Sequence, residues 1–165
     1  MKKNSWKTIV SMGMIPFVAP KQVTTHYFDR YMPSLAEPKK LNILLVEDDE
    51  PDAYLIGRAL ASNPRVGDVV VAENGFRALE MIDISWATPD LAIVDLNMPR
   101  KDGFTLLREF AALGGRRFPS VILTSSASKA DALEAVLSGA VAFITKPDTP
   151  HKMAAALDRV IYNAF

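Results

Sequence analysis

Four short apolar runs in this chain are each followed at once by side chains able to do chemistry. LNILLV at 41–46 leads into Glu47, Asp48 and Asp49, LAIV at 91–94 into Asp95, SVIL at 120–123 into Thr124 and Ser125, and VAFIT at 141–145 into Lys146. Carboxylates gathered at one place repel one another and hold their protons unless a cation separates them. Mg²⁺ suits such a set, because it is a hard ion bound by one or two carboxylates together with phosphate oxygens and water. Zinc does not: His26 and His151 lie outside the set and the chain has no Cys. A hydroxyl and an ammonium converging on the same spot supply donors for an anion with several oxygens, and a phosphoryl group fits. With donors and metal in place, a carboxylate can act as a nucleophile toward phosphorus. The metal and Lys146 would offset charge on the transferring oxygens.

These side chains can meet only if their strands end on one edge. From Leu41 onward, apolar runs of β type alternate with stretches of helical period, the pattern of βαβ units and a parallel sheet. A fifth run, DVVVA at 68–72, completes the set of strands. The runs are apolar along nearly their whole length, as expected when helices cover both faces of the sheet. Helices are predicted near 51–62, 75–85, 103–113, 128–138 and 149–163. Apolar stripes at Leu55, Ile56, Ala59 and Leu60, at Phe104, Leu107 and Phe110, and at Leu133, Val136 and Leu137 are expected to face the core. Gly139 is placed to end its helix in a left-handed turn. Right-handed crossovers point parallel strands the same way, so their carboxyl ends share the edge where open α/β sheets bind ligands.

Composition narrows the function further. The chain has 165 residues and no Cys, which removes disulfides, thiolate metal sites and Cys nucleophiles and suits a reducing cytoplasm. Residues 1–40 hold seven basic and two acidic side chains, whereas residues 41–165 hold twelve and seventeen. An acidic domain of this kind argues against DNA or RNA as a partner. The first 20 residues imitate a secretory signal, but Gly13 and Pro16 interrupt the apolar stretch, which is too short to span a membrane. Residues 1–40 are read as a loosely held extension, with Pro33, Pro38, Lys39 and Lys40 as a linker into one domain at 41–165.

The segments ILLVEDDEPD, IVDLNMPRKDG, VILTSSA and FITKP, in this order and spacing, make residues 41–165 resemble the receiver domain of bacterial two-component response regulators, especially the stand-alone, chemotaxis kind. The resemblance implies a flavodoxin-like, doubly wound α/β fold: a five-stranded parallel sheet of order 2-1-3-4-5 between layers of five helices, a topology for which a member of this family serves as a standard example. It implies Asp95 as the phosphoacceptor, Glu47 and Asp48 as the acidic pair, and Mg²⁺ bound by Asp48 and Asp95 side chains with the Asn97 backbone carbonyl. Thr124 would be the switching hydroxyl, Lys146 the ammonium partner, Phe143 the aromatic switch position and Pro147 a cis proline directing Lys146. Partners implied are a sensor histidine kinase or phosphotransfer protein and a downstream protein target, with a homodimer left open. An extension such as residues 1–40 departs from the family pattern.

Each residue also has a plainer reading. Asp48, Asp49 and Asp52 can cap the helix that follows, Thr124 and Ser125 can cap the helix near 128, and Lys146 can be a surface lysine. Tyr54 and Trp86 sit in no motif and are read as packing or partner surface, and Asp102 with Gly103 as a turn and helix start. No plain reading explains why all the groups share one edge. A haloacid-dehalogenase-like phosphohydrolase uses the same residue types but places its acidic pair last, and a phosphorylation-independent pseudo-receiver would not need the full set. A dinucleotide-binding domain is disfavoured, since no G-x-G-x-x-G follows the first run.

Overall fold

The computed structural model describes residues 39–83, 89–113 and 118–165. Trp86, His26, the signal-like segment and nearly all of the expected extension lie outside them. In chain order the elements are β1 (Leu41–Val46), α1 (Glu50–Ala61), β2 (Val66–Ala72), α2 (Gly75–Asp83), β3 (Leu91–Val94), α3 (Gly103–Ala112), β4 (Ser120–Thr124), α4 (Lys129–Leu137), β5 (Ala142–Thr145) and α5 (Pro150–Ala164). The five strands form one sheet of order β2-β1-β3-β4-β5, and every neighbouring pair is parallel. The flavodoxin-like α/β expectation therefore holds, including the strand order.

Alternation along β1 explains the layering. Leu41, Ile43 and Leu45 point to one face, where Ile56, Ala59 and Leu60 of α1 and Met153, Leu157, Val160 and Ile161 of α5 cover them. Leu44 and Val46 point to the other, covered by Ala78 and Ile82 of α2, Leu106, Leu107 and Phe110 of α3 and Ala135 of α4. With both faces dry, β1, β3 and β4 have no use for polar alternation, which is why they read as continuous apolar runs. The edge strands β2 and β5 are only partly covered.

Local chemistry sets the helix ends. The side chains of Asp49, Asp102, Ser128 and Thr149 accept the backbone N–H groups of Asp52, Thr105, Asp131 and Lys152, capping α1, α3, α4 and α5. Pro51 and Pro150 stand in the first turns, where no N–H is needed. Gly139 leaves α4 at φ +103°, the left-handed turn expected of it.

One stripe faces the wrong way. Leu133, Val136 and Leu137 of α4 are 63%, 62% and 79% exposed, and the residue that α4 buries is Ala135. The period of the apolar residues was read correctly as helical. It identifies a face, however, not the direction in which that face points. In the observed rotation Ala135 packs into the core, and Glu134 meets Arg108 of α3 at 2.7 Å on the surface. In α1, likewise, Leu55 is exposed while Ile56, Ala59 and Leu60 are buried.

Gly103 is where α3 comes closest to the end of β3. A Cβ at this position would lie 2.6 Å from the carbonyl oxygen of Asp95 and 3.1 Å from Leu96 Cα, both backbone atoms with no freedom to yield. Gly103→Ala is expected to destabilise the domain by about 2 kcal/mol, the usual cost of overpacking. A urea-unfolding midpoint unchanged from that of the native sequence would contradict this.

Candidate functional site

The backbone itself carries the site residues to the carboxyl edge. The Glu47 N–H donates to Ala72 O at 3.0 Å, Asp95 N–H to Val46 O at 2.9 Å, and Lys146 N–H to Thr124 O at 2.7 Å. Each residue is thus the first beyond its strand, yet still hydrogen-bonded to the neighbouring strand. Their side chains leave the sheet from a nearly fixed base.

On that base, one carboxylate oxygen each from Glu47, Asp48 and Asp95 lies within 4.8 Å of the other two. Glu47 and Asp95 are buried and Asp48 is exposed. The Lys146 ammonium faces the group: its Nζ is 2.8 Å from Glu47 Oε2, 2.7 Å from Asp52 Oδ2 and 3.5 Å from Asp95 Oδ1. The other Asp95 oxygen, Oδ2, accepts the Asn97 N–H at 3.0 Å. Thr124 is fully buried, and its Oγ1 accepts from Asn97 Nδ2 at 3.4 Å and from the Ser126 N–H at 3.3 Å. Asn97 therefore links the hydroxyl on β4 to the carboxylate after β3.

The electrostatics follow from this packing. Burial pushes the Glu47 carboxyl up from 4.5 to about 7; the Asp95 charge adds to the rise, while Lys146 and the Asp49 N–H oppose it. Burial works against the Lys146 charge as well, but the hydrogen bond to Asp52 and the close carboxylates of Glu47 and Asp95 outweigh it, holding the ammonium above its ordinary range. The two effects conflict, since a charged Lys146 favours an ionised Glu47. The ammonium is the firmer of the two because three carboxylates share it, so it is Glu47 that yields.

All-oxygen donors of high negative charge, two of them buried, fit a hard divalent cation such as Mg²⁺ and would fit zinc or copper poorly. Of the residues singled out from the sequence, Glu47, Asp48, Asp95, Asn97, Thr124 and Lys146 come together here. Phe143 does not: it pairs with Ile122 across β4 and β5 and packs, half-buried, against the α2, α3 and α4 core. The expectation of a cis proline at Pro147 is corrected, since no described peptide bond is cis. The trans form is the favoured one for X–Pro bonds by about 0.5–1 kcal/mol, and Lys146 is directed here by its own N–H bond to Thr124 O and by its carboxylate partners.

Asp52 is the residue that sequence reasoning missed. Of the three acids that could cap this helix, Asp48, Asp49 and Asp52, it is Asp49 that does so. Asp52 gives that cap its N–H and is left with a carboxylate free to meet Lys146. An acid in the first helical turn is ordinary, and nothing in its spacing pointed to a partner 94 residues away.

Residues 43–158 match the family model described as the response regulator receiver domain. The chain belongs to that family. This receiver domain is 31% identical over 119 residues to chemotaxis protein CheY1 of Helicobacter pylori strain J99, covering 72% of this chain and 95% of that protein. It is 36% identical over 110 residues to protein-glutamate methylesterase/protein-glutamine glutaminase 2 of Dechloromonas aromatica strain RCB, covering 66% of this chain but only 30% of the relative's length. Among solved structures, the phosphorylated cyanobacterial phytochrome response regulator RcpA superposes with a TM-score of 0.68 at 28% identity, over 73% of this chain and 91% of that one. Membership in this family replaces the phosphohydrolase alternative. Among the described residues of the receiver domain, no helix is long and apolar enough to cross a membrane.

The raised Glu47 carboxyl has a measurable consequence in metal-free protein. The unfolded chain releases this proton near pH 4.5 and the folded one at about 7. Stability from this group is therefore fully present below 4.5 and is lost as pH rises through 7. In urea unfolding with chelator present, the native sequence should lose stability between these values and Glu47→Gln should show a flatter profile. Parallel profiles would contradict the assignment.

Proposed function

We propose that this receiver accepts a phosphoryl group on Asp95 from the phosphohistidine of a sensor histidine kinase or phosphotransfer protein, in a Mg²⁺-dependent reaction. The observation that carries the reading is a buried carboxylate sharing one small site with two further carboxylates and facing an ammonium at 3.5 Å. In the transfer, a carboxylate oxygen of Asp95 forms a bond to phosphorus as the phosphorus–nitrogen bond to the donor histidine breaks, and the electron pair leaves with the imidazole. The side chains of Glu47, Asp48 and Asp95 and the backbone carbonyl of Asn97 would hold the cation, which when bound neutralises charge on the transferring oxygens. The Asn97 N–H keeps the Asp95 carboxylate turned into the site, and Lys146 supplies a donor for a phosphoryl oxygen. The chain catalyses its own phosphorylation and the hydrolysis that resets it, and is otherwise a switch, not an enzyme.

The added group brings about −1.5 to −2 charge and three acceptor oxygens. Thr124 loses little by turning its hydroxyl toward them, since its bonds in this state, at 3.3 and 3.4 Å, are long. That turn vacates space beside Phe143 and biases the face of α4, β5 and α5 between two arrangements. Apolar side chains at Leu133, Val136, Leu137 and Val141 are exposed on α4 and just before β5, which suits a face that meets a protein target or a second receiver.

Incubation with Mg²⁺ and a small acyl phosphate should add one phosphoryl group by intact mass, labile to hydroxylamine and absent in Asp95→Ala. Equal labelling of Asp95→Ala would move the acceptor elsewhere, and no labelling of the native sequence would leave a binding module that works without phosphorylation.

A further inference from the structure

The Lys146 ammonium has three N–H donors and no acceptor. In this structure one donor is hydrogen-bonded to Asp52 Oδ2 at 2.7 Å, Glu47 Oε2 is 2.8 Å away, and Asp95 Oδ1 is third at 3.5 Å. Asp52 is the odd member of the three. Glu47 and Asp95 leave the sheet edge and belong to the carboxylate cluster, whereas Asp52 comes from the first turn of α1 and is absent from that cluster. Its position is built: Asp49 caps the Asp52 N–H at 2.9 Å and Pro51 stiffens the same turn. At the N3 position a carboxylate often reaches back to the N-cap N–H; here it reaches across to the loop after β5.

A lysine side chain has four rotatable bonds and about 2 kcal/mol of rotamer entropy to lose when fixed. One carboxylate would leave the ammonium free to swing about that partner. Two carboxylates from different elements, Glu47 after β1 at 2.8 Å and Asp52 on α1 at 2.7 Å, hold the ammonium from two sides, with Asp95 Oδ1 3.5 Å away. We infer that Asp52 is a positioning residue for phosphoryl transfer: it anchors the Lys146 ammonium against α1 so that one N–H is kept for the Asp95 carboxylate and the phosphoryl oxygens that arrive there. This inference rests on the proposed function. It adds a residue from outside the group formed by Glu47, Asp48 and Asp95.

The side chain of Asp52 is 38% exposed, so solvent screens the pair and its effect is modest. Three variants test it: Asp52→Ala, Asp52→Asn and Asp52→Glu. The first readout needs no metal and no phosphoryl donor. With ¹⁵N-labelled lysine, the Lys146 ammonium should give an observable, slowly exchanging proton signal in the native protein, weakened in Asp52→Asn, lost to solvent exchange in Asp52→Ala and retained in Asp52→Glu. The second is the rate of phosphorylation by a small acyl phosphate under Mg²⁺, expected to fall roughly fivefold in Asp52→Ala and to recover in Asp52→Glu, with thermal midpoints of the variants alike. A helix-capping or purely structural role would shift the midpoint and leave the ammonium signal unmoved. If Asp52→Ala keeps both the signal and the rate of the native chain, the inference is overturned while the proposed function stands. If the native chain takes no phosphoryl group on Asp95, the proposed function fails, and the ammonium signal alone decides whether Asp52 is the anchor.

Discussion

One lysine in contact with three carboxylates is the constraint around which this domain is arranged. Like charges from β1, α1 and β3 do not stay together in a partly buried pocket without compensation, and Lys146 is the compensating charge among the described residues. Reaching it requires β5 to run parallel to β4 with Lys146 just past its end, and β3 to sit beside β1 so that Asp95 and Glu47 are neighbours. The strand order meets both requirements. Sheet topology and site electrostatics are in this sense one problem, since a different order would leave buried carboxylates without their partner.

Much of this was legible in the amino-acid sequence because it is written in short-range terms. Runs such as LNILLV and LAIV declare strands covered on both faces, and a chemically able residue just after each run is placed by parallel pairing alone. Glu47, Asp48, Asp95, Thr124 and Lys146 were found in this way, without knowledge of any distance. Gly139 was legible for a similar reason, since the left-handed turn that it makes is a local demand that glycine meets at least cost.

What escaped was whatever depends on rotation about an axis or on a contact distant in sequence. The stripe of Leu133, Val136 and Leu137 gave the helical period of α4 but not its orientation, in which Ala135 is the residue that packs into the core. Asp52 was hidden because its local role, an acid in a first turn, was already a sufficient explanation. The expectation for Pro147 came from resemblance and not from any residue around it, and the backbone here does without a cis bond.

The helices are moored unequally. On α5, Met153, Leu157, Val160 and Ile161 are buried, and α3 buries Gly103, Leu106, Leu107 and Phe110, whereas on α4 the one fully buried residue is Ala135, and the helix is tied to α3 by the half-exposed pair of Glu134 with Arg108. A buried methyl such as that of Ala135 is worth only about 0.8 kcal/mol, less than the ~1.4 kcal/mol that separates populations tenfold. Shifting such a helix on the sheet would expose far less apolar surface than shifting α3 or α5. The least deeply seated helix packs beside β5, the strand that carries Lys146 at its end, so of the layers around the pocket this is the one with the smallest apolar area holding it in place.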